Sequence, residues 1–251
     1  MSGQLEPHPP HQGRPRLSVV LPAYREERRI ADAVRRLRSA LAGTVGDGEL
    51  EVVVVDDGSG DATADVAAGA GADQIIRLPA NRGKGAAVRA GALAATGSTV
   101  VFTDADLAYS PVQIADLLDQ VEKGWDVVVG NRHHVDEPDR IGLRQVGHRV
   151  FNAATRLVLT RRFADTQCGF KGFHRPAAQR IFSLARIDGF AFDVEVLWLA
   201  GHLGLCVEEV PVELDDAEGS TVRFSVDALR MLRDLVRIRR WIRTGAYKRS
   251  E

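Results

Sequence analysis

Short apolar runs alternate with amphipathic segments along the first half of the chain. The run from Leu17 to Leu21 is continuous and ends at Pro22, which is typical of a central strand in a parallel sheet. Apolar residues then recur at helical spacing from Ile30 to Leu41. The same alternation predicts further strands at 51–55, 74–78 and 100–102, and further helices at 63–70 and 86–95. Strands that alternate with helices predict an α/β fold with a doubly wound, mostly parallel sheet and helices on both faces.

Polar residues follow the predicted strands. Glu26 comes after the first strand, Asp57 after the second, and Asp104 and Asp106 directly after the fourth, while Lys84 precedes the third helix. The loops after the strands of a doubly wound sheet emerge at one edge, so we expect these five side chains to converge. Each loop alone has the composition of an ordinary turn. The prediction of a site therefore depends on the whole set.

The chemistry of this set suits a phosphorylated ligand. Carboxylates one residue apart, as in Asp104-Ala105-Asp106, provide oxygen ligands for a hard divalent cation. Lys84 lies between glycines, but the chain has neither a dinucleotide-binding Gly-x-Gly-x-x-Gly motif nor a P-loop. A nucleoside diphosphate held through Mg²⁺ or Mn²⁺, with Asp57 near the base or ribose, fits these residues better.

Length and composition define the expected domains. The 251 residues, of which 45% are hydrophobic, suit one α/β domain with at most a small appendage. We expect a disordered, proline-rich tail at 1–16, the folded domain at 17–223, and a basic amphipathic helix and tail at 224–251. No run of about 18 apolar residues and no signal peptide is present, so the expected location is cytoplasmic, either free or peripheral on a membrane. Cys168 and Cys206 are expected to be reduced core thiols.

The charge of the chain is unevenly distributed. Nine basic and three acidic residues give +6 from Thr221 to the end, whereas the rest carries −7. This asymmetry argues against a nucleic-acid partner and for a local anionic contact. Between 226 and 242, apolar residues share one helix side and arginines another: Leu229, Leu232, Leu235, Val236 and Ile238 against Arg230, Arg233, Arg237 and Arg240. Packing on the sheet and binding to an anionic membrane surface are both compatible with this pattern.

Four motifs together resemble those of the family 2 glycosyltransferases, whose GT-A fold is Rossmann-like. They occur in the family's order and spacing: Pro22-Ala23-Tyr24-Arg25-Glu26, Val55-Asp56-Asp57-Gly58-Ser59, Asn81-Arg82-Gly83-Lys84-Gly85 and Asp104-Ala105-Asp106. Three later stretches are similar to the branch that glycosylates polyprenyl phosphates, especially the dolichyl-phosphate glucosyltransferases and less closely the dolichyl-phosphate mannose synthases: Gly130-Asn131-Arg132, Asp165 to Lys171, and Phe190 to Glu195. The resemblance covers roughly residues 17–223.

The resemblance implies a role for each matched position. Contacts to the nucleotide sugar are implied for Pro22, Tyr24, Glu26, Val55, Asp57, Lys84, Asp104 and Ala105. Asp104 and Asp106 would bind the metal and the diphosphate. The phosphates of donor or acceptor would be bound by Arg132, and the acceptor side further by Arg144, Ser220 and Arg223.

Three departures from the family pattern favour the glucosyltransferase-like branch. Arg25 replaces the usual Asn, and Ala108 stands where mannose synthases often have Gln or Ser, which leaves a third protein ligand to the metal in doubt. The Gly-Glu-Ser turn of the mannose synthases is also missing, and Arg223 is a candidate substitute for one of its basic residues. By resemblance, UDP-glucose is the favoured donor and GDP-mannose the next.

The predicted reaction is a direct displacement that inverts the anomeric centre. A lipid phosphate has a second pKa of about 6 and needs little help from a general base, whereas an alcohol needs more. Asp193 and Glu195 are the candidates for such a base or for contacts to sugar hydroxyls, with Asp193 favoured. Three alternatives remain open: a glycosyltransferase with a soluble or polysaccharide acceptor, a non-catalytic nucleotide-sugar-binding module, and a nucleotidyltransferase.

Overall fold

The computed structural model describes residues 5–8, 13–132, 155, 166, 168–215 and 224–247. Within them, seven strands form one mixed sheet: β1 (Leu17–Ala23), β2 (Leu50–Asp56), β3 (Gln74–Arg77), β4 (Thr99–Phe102), β5 (Val127–Asn131), β6 (Lys171–His174) and β7 (Val207–Pro211). The strand order is β3-β2-β1-β4-β6-β5-β7. All neighbours pair in parallel except that β6 runs antiparallel to both β4 and β5. The predicted α/β fold is confirmed, and the predicted strands are correct to within one or two residues.

Six helices and one short 3-10 turn at Pro111–Gln113 lie between the described strands, and a seventh helix follows β7. The helices are α1 (Ile30–Leu41), α2 (Thr63–Gly69), α3 (Lys84–Ala94), α4 (Ile114–Glu122), α5 (Arg175–Leu184), α6 (Phe192–His202) and α7 (Phe224–Thr244). No helix in these described ranges has the length and apolar character that crossing a bilayer requires.

The sheet is buried on both faces, as its continuous apolar strands predicted. Along β1, Val20 belongs to the core on the side of α3, α5, α6 and α7, whereas its neighbours Val19 and Leu21 belong to the core on the side of α1, α2 and α4. Successive strand residues point to opposite faces, so a sheet covered on both faces requires apolar residues at every position.

The C-terminal helix α7 packs its apolar side on the protein. Leu235 and Ile238 are buried in the core, and Leu232 packs partly against it. Val236 differs from these residues because it is 69% exposed. Of the two uses considered for the apolar side, packing against the rest of the protein is therefore the one found in the structure.

The described part of the N-terminal segment also contacts the domain, unlike the disordered tail predicted for 1–16. The carbonyl oxygens of Pro15 and Arg16 accept hydrogen bonds from the N–H groups of Ser98 and Thr99. The Arg16 guanidinium forms an ion pair with Glu122, with 2.6 Å between Nε and Oε1. These contacts fix the entry into β1.

Candidate active site

The candidate site lies at the edge of the sheet where the parallel strands end. Ala23, Asp56, Phe102 and Asn131 are the last residues of β1, β2, β4 and β5 and lie at this edge. Lys171 lies there too, because β6 is antiparallel and begins where its neighbours end. The predicted convergence of the polar loops is therefore found, and the segment before β6 adds to it.

Asp104 and Lys84 form an ion pair at this edge, with 2.5 Å between Lys84 Nζ and Asp104 Oδ1. Burial lowers the pKa of the Lys84 ammonium, but the carboxylates of Asp104 and Asp193 outweigh that effect, and the pKa is raised above its ordinary value. Lys84 thus stays cationic at neutral pH. Since it is also the first residue of α3, it places a positive charge at a helix N-terminus, which favours anions.

Asp106 lies at the exposed end of the acidic pair. Its Oδ1 accepts a hydrogen bond of 3.1 Å from the N–H of Ala108. Ala105 between the two acids is only 6% exposed, so any contact to a nucleotide comes from its backbone. Leu107 has a φ of 51°, a left-handed conformation that is uncommon for leucine. Such strain concentrates at functional sites, and here it directly follows the acidic pair.

Asp57 ties two of the loops together. Its two carboxylate oxygens accept hydrogen bonds from the backbone N–H groups of Arg82 (2.9 Å) and Gly83 (2.8 Å). Burial raises the pKa of this carboxyl, and the two hydrogen bonds oppose the shift. Gly83 has a φ of 113°, and a Cβ there would lie 2.6 Å from the Asp188 carbonyl oxygen, so only glycine fits. Asp57 thereby positions the loop that carries Lys84, and its contact to a nucleoside stays a prediction.

The first motif lines the same edge with side chains of different exposure. Tyr24 is 40% exposed, and the guanidinium of Arg25 lies 5.2 Å from its ring centre. Glu26 is half-buried; burial raises its carboxyl pKa, with a smaller opposing effect from Arg29 and a further increase from Asp106. Pro22 is half-buried at the end of β1.

Val55 was predicted to contact the nucleoside, but its side chain lies in the core. The Val55 side chain has no exposed surface and packs in the core on the α3 side. Only its backbone is left for a ligand.

Gly169 lies directly behind the ion pair. A Cβ at this position would be 2.8 Å from Lys84 Nζ and 2.9 Å from Asp104 Oδ2, closer than ordinary contact allows. A residue without a side chain is therefore required here for Lys84 and Asp104 to meet as they do. Gly169 belongs to the Asp165–Lys171 stretch that resembles the family, but no local pattern predicts its contact with Lys84 and Asp104.

Lys171 and Asp193 form a buried ion pair beside the site. Lys171 Nζ lies 2.5 Å from Asp193 Oδ1 and also donates to the carbonyl oxygen of Cys168, and Lys171 has no exposed surface. Burial raises the pKa of Asp193, while the ammonium groups of Lys171 and Lys84 oppose that shift. Asp193 is 5% exposed and already neutralised by a cation, so this arrangement differs from the catalytic role predicted for it.

Glu195 points into the protein rather than toward the acidic pair. Its carboxylate accepts hydrogen bonds from the Tyr247 hydroxyl (2.6 Å) and from the backbone N–H groups of Arg186 and Ile187. Burial raises the Glu195 pKa, and these donors oppose the shift. Because 192–202 is helical, Asp193 and Glu195 lie on different faces, and Glu195 has a structural role.

The acceptor-side predictions are only partly within the described residues. Arg132 directly follows β5 at the same edge and is half-buried. Arg144, Ser220 and Arg223 lie outside the described residues. Their predicted contacts therefore stay predictions.

The two cysteines have different environments. Cys168 is buried, with its Sγ 3.3 Å from the Tyr109 hydroxyl, as expected for a core thiol. Cys206 is exposed, so the prediction of a core position was wrong for this residue. Cys206 follows a turn at the start of β7, where its backbone rather than its thiol contacts the protein.

The sequence matches a known family over most of this domain. A model described as glycosyl transferase family 2 matches residues 18–182, which include both acidic loops and Lys84. The chain belongs to this family. It is thus a glycosyltransferase, and its strand-end site is the place where that family's motifs converge.

Curated relatives and solved structures of similar proteins agree with this assignment. A dolichyl-phosphate beta-glucosyltransferase from Drosophila melanogaster is 38% identical over 256 residues, which cover 92% of this chain and 77% of the relative. A protein of the same name from Homo sapiens is 34% identical over 259 residues, with the same coverage. The crystal structure of glucosyl-3-phosphoglycerate synthase from Mycobacterium tuberculosis in complex with Mn²⁺, UDP and phosphoglyceric acid matches with a TM-score of 0.67, 26% identity, and 93% and 79% coverage.

The donor atoms of this glycosyltransferase fit a divalent ion. Asp104 is half-buried and Asp106 exposed, and both provide carboxylate oxygens, which suit Mg²⁺ or Mn²⁺. Lys84 occupies one oxygen of Asp104, so the other remains available. Position 108 is alanine, which has no ligand atom in its side chain, and phosphate and water oxygens would complete the coordination shell.

Proposed function

We propose that this glycosyltransferase transfers glucose from UDP-glucose to a polyprenyl or dolichyl phosphate, with inversion at the anomeric carbon. The observation that carries the proposal is the state of the two candidate bases. Asp193 is neutralised by Lys171, and Glu195 is bonded to Tyr247 and to backbone N–H groups. Neither carboxylate is left to deprotonate an alcohol. A phosphate acceptor is already an anion at neutral pH and does not need this step.

The donor proposal rests on similarity and on charge. The relatives named dolichyl-phosphate beta-glucosyltransferase support glucose as the sugar, and the solved structure with UDP and Mn²⁺ supports a uridine nucleotide. Lys84 at the N-terminus of α3 would contact the diphosphate beside Asp104. GDP-mannose, the runner-up donor, is an outcome of the test below.

The mechanism needs charge neutralisation at the leaving group more than it needs proton transfer. A divalent ion held by Asp104 and Asp106 would stabilise the negative charge that builds on the leaving nucleoside diphosphate. Lys84 holds a fixed positive charge at the same place, and Asp57 keeps its loop in position. Arg132 at the end of β5 would bind the acceptor phosphate.

A peripheral membrane position would bring the enzyme to a lipid acceptor. The α7 arginines Arg230, Arg233, Arg237 and Arg240 are exposed, and the exposed Val236 lies on the same side as Arg233 and Arg240. Each arginine near an anionic surface is worth about 1 kcal/mol. Flotation with phosphatidylserine vesicles should fall when Arg233 and Arg240 are both changed to Gln, and stay unchanged for Arg28→Gln on the other side of the protein. Equal flotation of both variants would contradict the proposal.

The decisive assay compares donors and acceptors in one panel. Purified protein with Mg²⁺ or Mn²⁺ is incubated with labelled UDP-glucose or GDP-mannose and with a short polyprenyl phosphate, the matching polyprenol, or phosphoglyceric acid. We expect transfer from UDP-glucose to the polyprenyl phosphate only, and a β-linked product from the α-linked donor by NMR. Transfer to the polyprenol, which needs a base, or to phosphoglyceric acid instead would refute the acceptor assignment, and an α-linked product would refute inversion.

The acidic pair provides a matched test of the site itself. Asp104→Asn removes a metal ligand and the partner of Lys84, and we expect transfer to fall about 10²–10³-fold, the cost of losing one electrostatic group. Asp119→Asn, the same change on the exposed side of α4, should leave the rate unchanged. Undiminished metal-dependent transfer by Asp104→Asn would exclude this mechanism.

A further inference from the structure

The loop at 81–85, which carries Lys84, lies against the segment at 185–189 that joins α5 to α6. A Cβ at Gly83 would lie 2.6 Å from a carbonyl oxygen of this segment, and a Cβ at Gly85 would lie 2.5 Å from another. Only residues without a side chain allow two backbones to approach so closely. The segment therefore touches the loop on both sides of Lys84.

Asp188 contacts this part of the chain with both its backbone and its side chain. Its carbonyl oxygen accepts a hydrogen bond of 3.2 Å from the N–H of Ala86, in the first turn of α3. Its carboxylate bridges two arginines, with 3.0 Å between Oδ2 and Arg82 Nη2 and 2.5 Å between Oδ1 and Arg89 Nη2. One arginine comes before Lys84 and the other after it, so the bridge spans the turn in which Lys84 lies.

The segment that joins α5 to α6 is itself held in place by α6. The Glu195 carboxylate accepts hydrogen bonds from the N–H groups of Arg186 (3.0 Å) and Ile187 (2.8 Å). The N–H of Phe192 donates to the carbonyl oxygen of Gly189 at 3.2 Å. The segment is thus a fixed base, and a contact from it can order the loop beside it.

We propose that Asp188 is a positioning residue, which keeps Lys84 in place for the diphosphate of the donor nucleotide. Asp57 holds the loop at 81–85 from one side through its backbone N–H groups, and Asp188 holds it from the other through Arg82. The Arg82 side chain is 52% exposed, so it regains its freedom when this tether is removed. The loop is then ordered only as the nucleotide binds, which weakens binding. This inference rests on the contact proposed above between Lys84 and the diphosphate.

The fold should tolerate the loss of the Asp188 carboxylate. The pair with Arg82 is exposed, and exposed ion pairs contribute little to stability. Arg89 is only 18% exposed, but it also donates to the carbonyl oxygens of Ala185 (3.4 Å) and Ile187 (3.5 Å). Asp188→Ala should therefore unfold close to the temperature of its parent. Asp188→Asn, which keeps the size of the side chain, takes its place in the same test if Asp188→Ala does not fold.

The test is calorimetric titration of the full chain with UDP in the presence of Mn²⁺, together with kinetics in the nucleotide sugar and the active acceptor of the panel above. We expect Asp188→Ala to weaken UDP binding and to raise KM about 3- to 10-fold, the cost of ordering one long side chain, with kcat changed less than about twofold. A purely structural loss would lower the active fraction, and with it kcat, and would leave KM unchanged. UDP affinity within about twofold of the parent would refute the positioning role.

Asp73→Ala is the matched control. Asp73 precedes β3 at the opposite edge of the sheet, and its carboxylate forms an ion pair with Arg38, with 2.5 Å between Oδ2 and Nη2. The substitution removes an arginine-bound carboxylate of similar exposure to that of Asp188. It should leave UDP binding unchanged. Equal weakening in both variants would mean that the effect comes from the fold and would rule out a specific role for Asp188.

Lys84→Met separates this inference from the proposed function. If Lys84→Met binds UDP like its parent, the proposed contact to the diphosphate is wrong, and the role of Asp188 falls with it. If Lys84→Met binds UDP weakly and Asp188→Ala binds it like the parent, only the role of Asp188 is wrong. The double variant should bind UDP no more weakly than Lys84→Met alone, because Asp188 acts through Lys84. Losses that add would show that the two residues act independently.

Hydrogen exchange measures the order of the loop directly. Without nucleotide, the amides at 82–87 should exchange faster in Asp188→Ala than in the parent, because the loop has lost its tether. With UDP and Mn²⁺ at saturation, the two proteins should exchange alike at these positions. Equal exchange without nucleotide would contradict the proposal.

Discussion

Gly169 provides the most direct test of how the site is built. In Gly169→Ala the new Cβ lies 2.8 Å from Lys84 Nζ and 2.9 Å from Asp104 Oδ2, against ordinary contacts that begin at 3.4 Å. Each atom must therefore retreat by about 0.5 Å. Both are the mobile ends of side chains, and the φ of Gly169 lies outside the left-handed region, so the fold should tolerate the change and gain about 0.4–1 kcal/mol from the restricted unfolded chain.

The active site should not tolerate it. A displacement of 1 Å at a catalytic group costs about 10²-fold in rate, so half that displacement on two groups predicts a 10- to 100-fold loss, or about 1.4–2.8 kcal/mol in the activation barrier. The assay is kcat/KM for the nucleotide sugar, together with calorimetric binding of UDP and Mn²⁺, which does not depend on the acceptor. We expect the metal concentration for half-maximal rate to rise as well, because the displaced Asp104 oxygen is the one left for the ion.

Gly201→Ala is the matched control, since a Cβ at this helical position meets nothing within 4 Å. It should keep full activity and bind UDP normally. If Gly169→Ala stays within twofold of the parent in both assays while Gly201→Ala behaves as expected, the ion pair of Lys84 and Asp104 is not the arrangement that acts in catalysis.

Two further predictions concern the buried polar contacts around the site. Lys171→Met should lower the free energy of unfolding in urea by about 3–5 kcal/mol, because it leaves Asp193 buried without its partner. Lys123→Met, which breaks a half-exposed pair with Asp119, should change that free energy by at most about 0.5 kcal/mol. A small effect at both positions would contradict the buried ion pair. Tyr247→Phe removes a hydrogen bond to the buried carboxylate of Glu195 and should lower the free energy of unfolding by about 1.5–3 kcal/mol in the same experiment. An unchanged urea midpoint would show that this hydroxyl does not hold residue 247 to α6.

Local patterns were sufficient for most of the sheet. The continuous apolar runs predicted the central strands because a strand buried on both faces has no polar positions to interrupt it. The convergence of Glu26, Asp57, Lys84 and Asp104 followed from the same reasoning, since parallel strands place their ends at one edge. The direction of β6 could not be read in this way. This four-residue strand, Lys171-Gly172-Phe173-His174, has no feature in its sequence that distinguishes parallel from antiparallel pairing.

The roles of Asp193 and Glu195 depended on the tertiary structure. The two candidate bases are two residues apart, and only the helical conformation of 192–202 separates their directions. The partner of Asp193 is 22 residues away and that of Glu195 is 52 residues away, distances over which no sequence periodicity links two positions.

The fold class, the acidic pair and the loops around it follow from local patterns, because they depend on the period of apolar residues and on the shared direction of strands. Three contacts became visible only in the folded protein: Lys171 neutralises the predicted base, Gly169 leaves room for the pair of Lys84 and Asp104, and the His8 ring stacks on the His174 ring. Each of these contacts joins groups from distant parts of the chain, and their pairing is set by packing rather than by any local pattern.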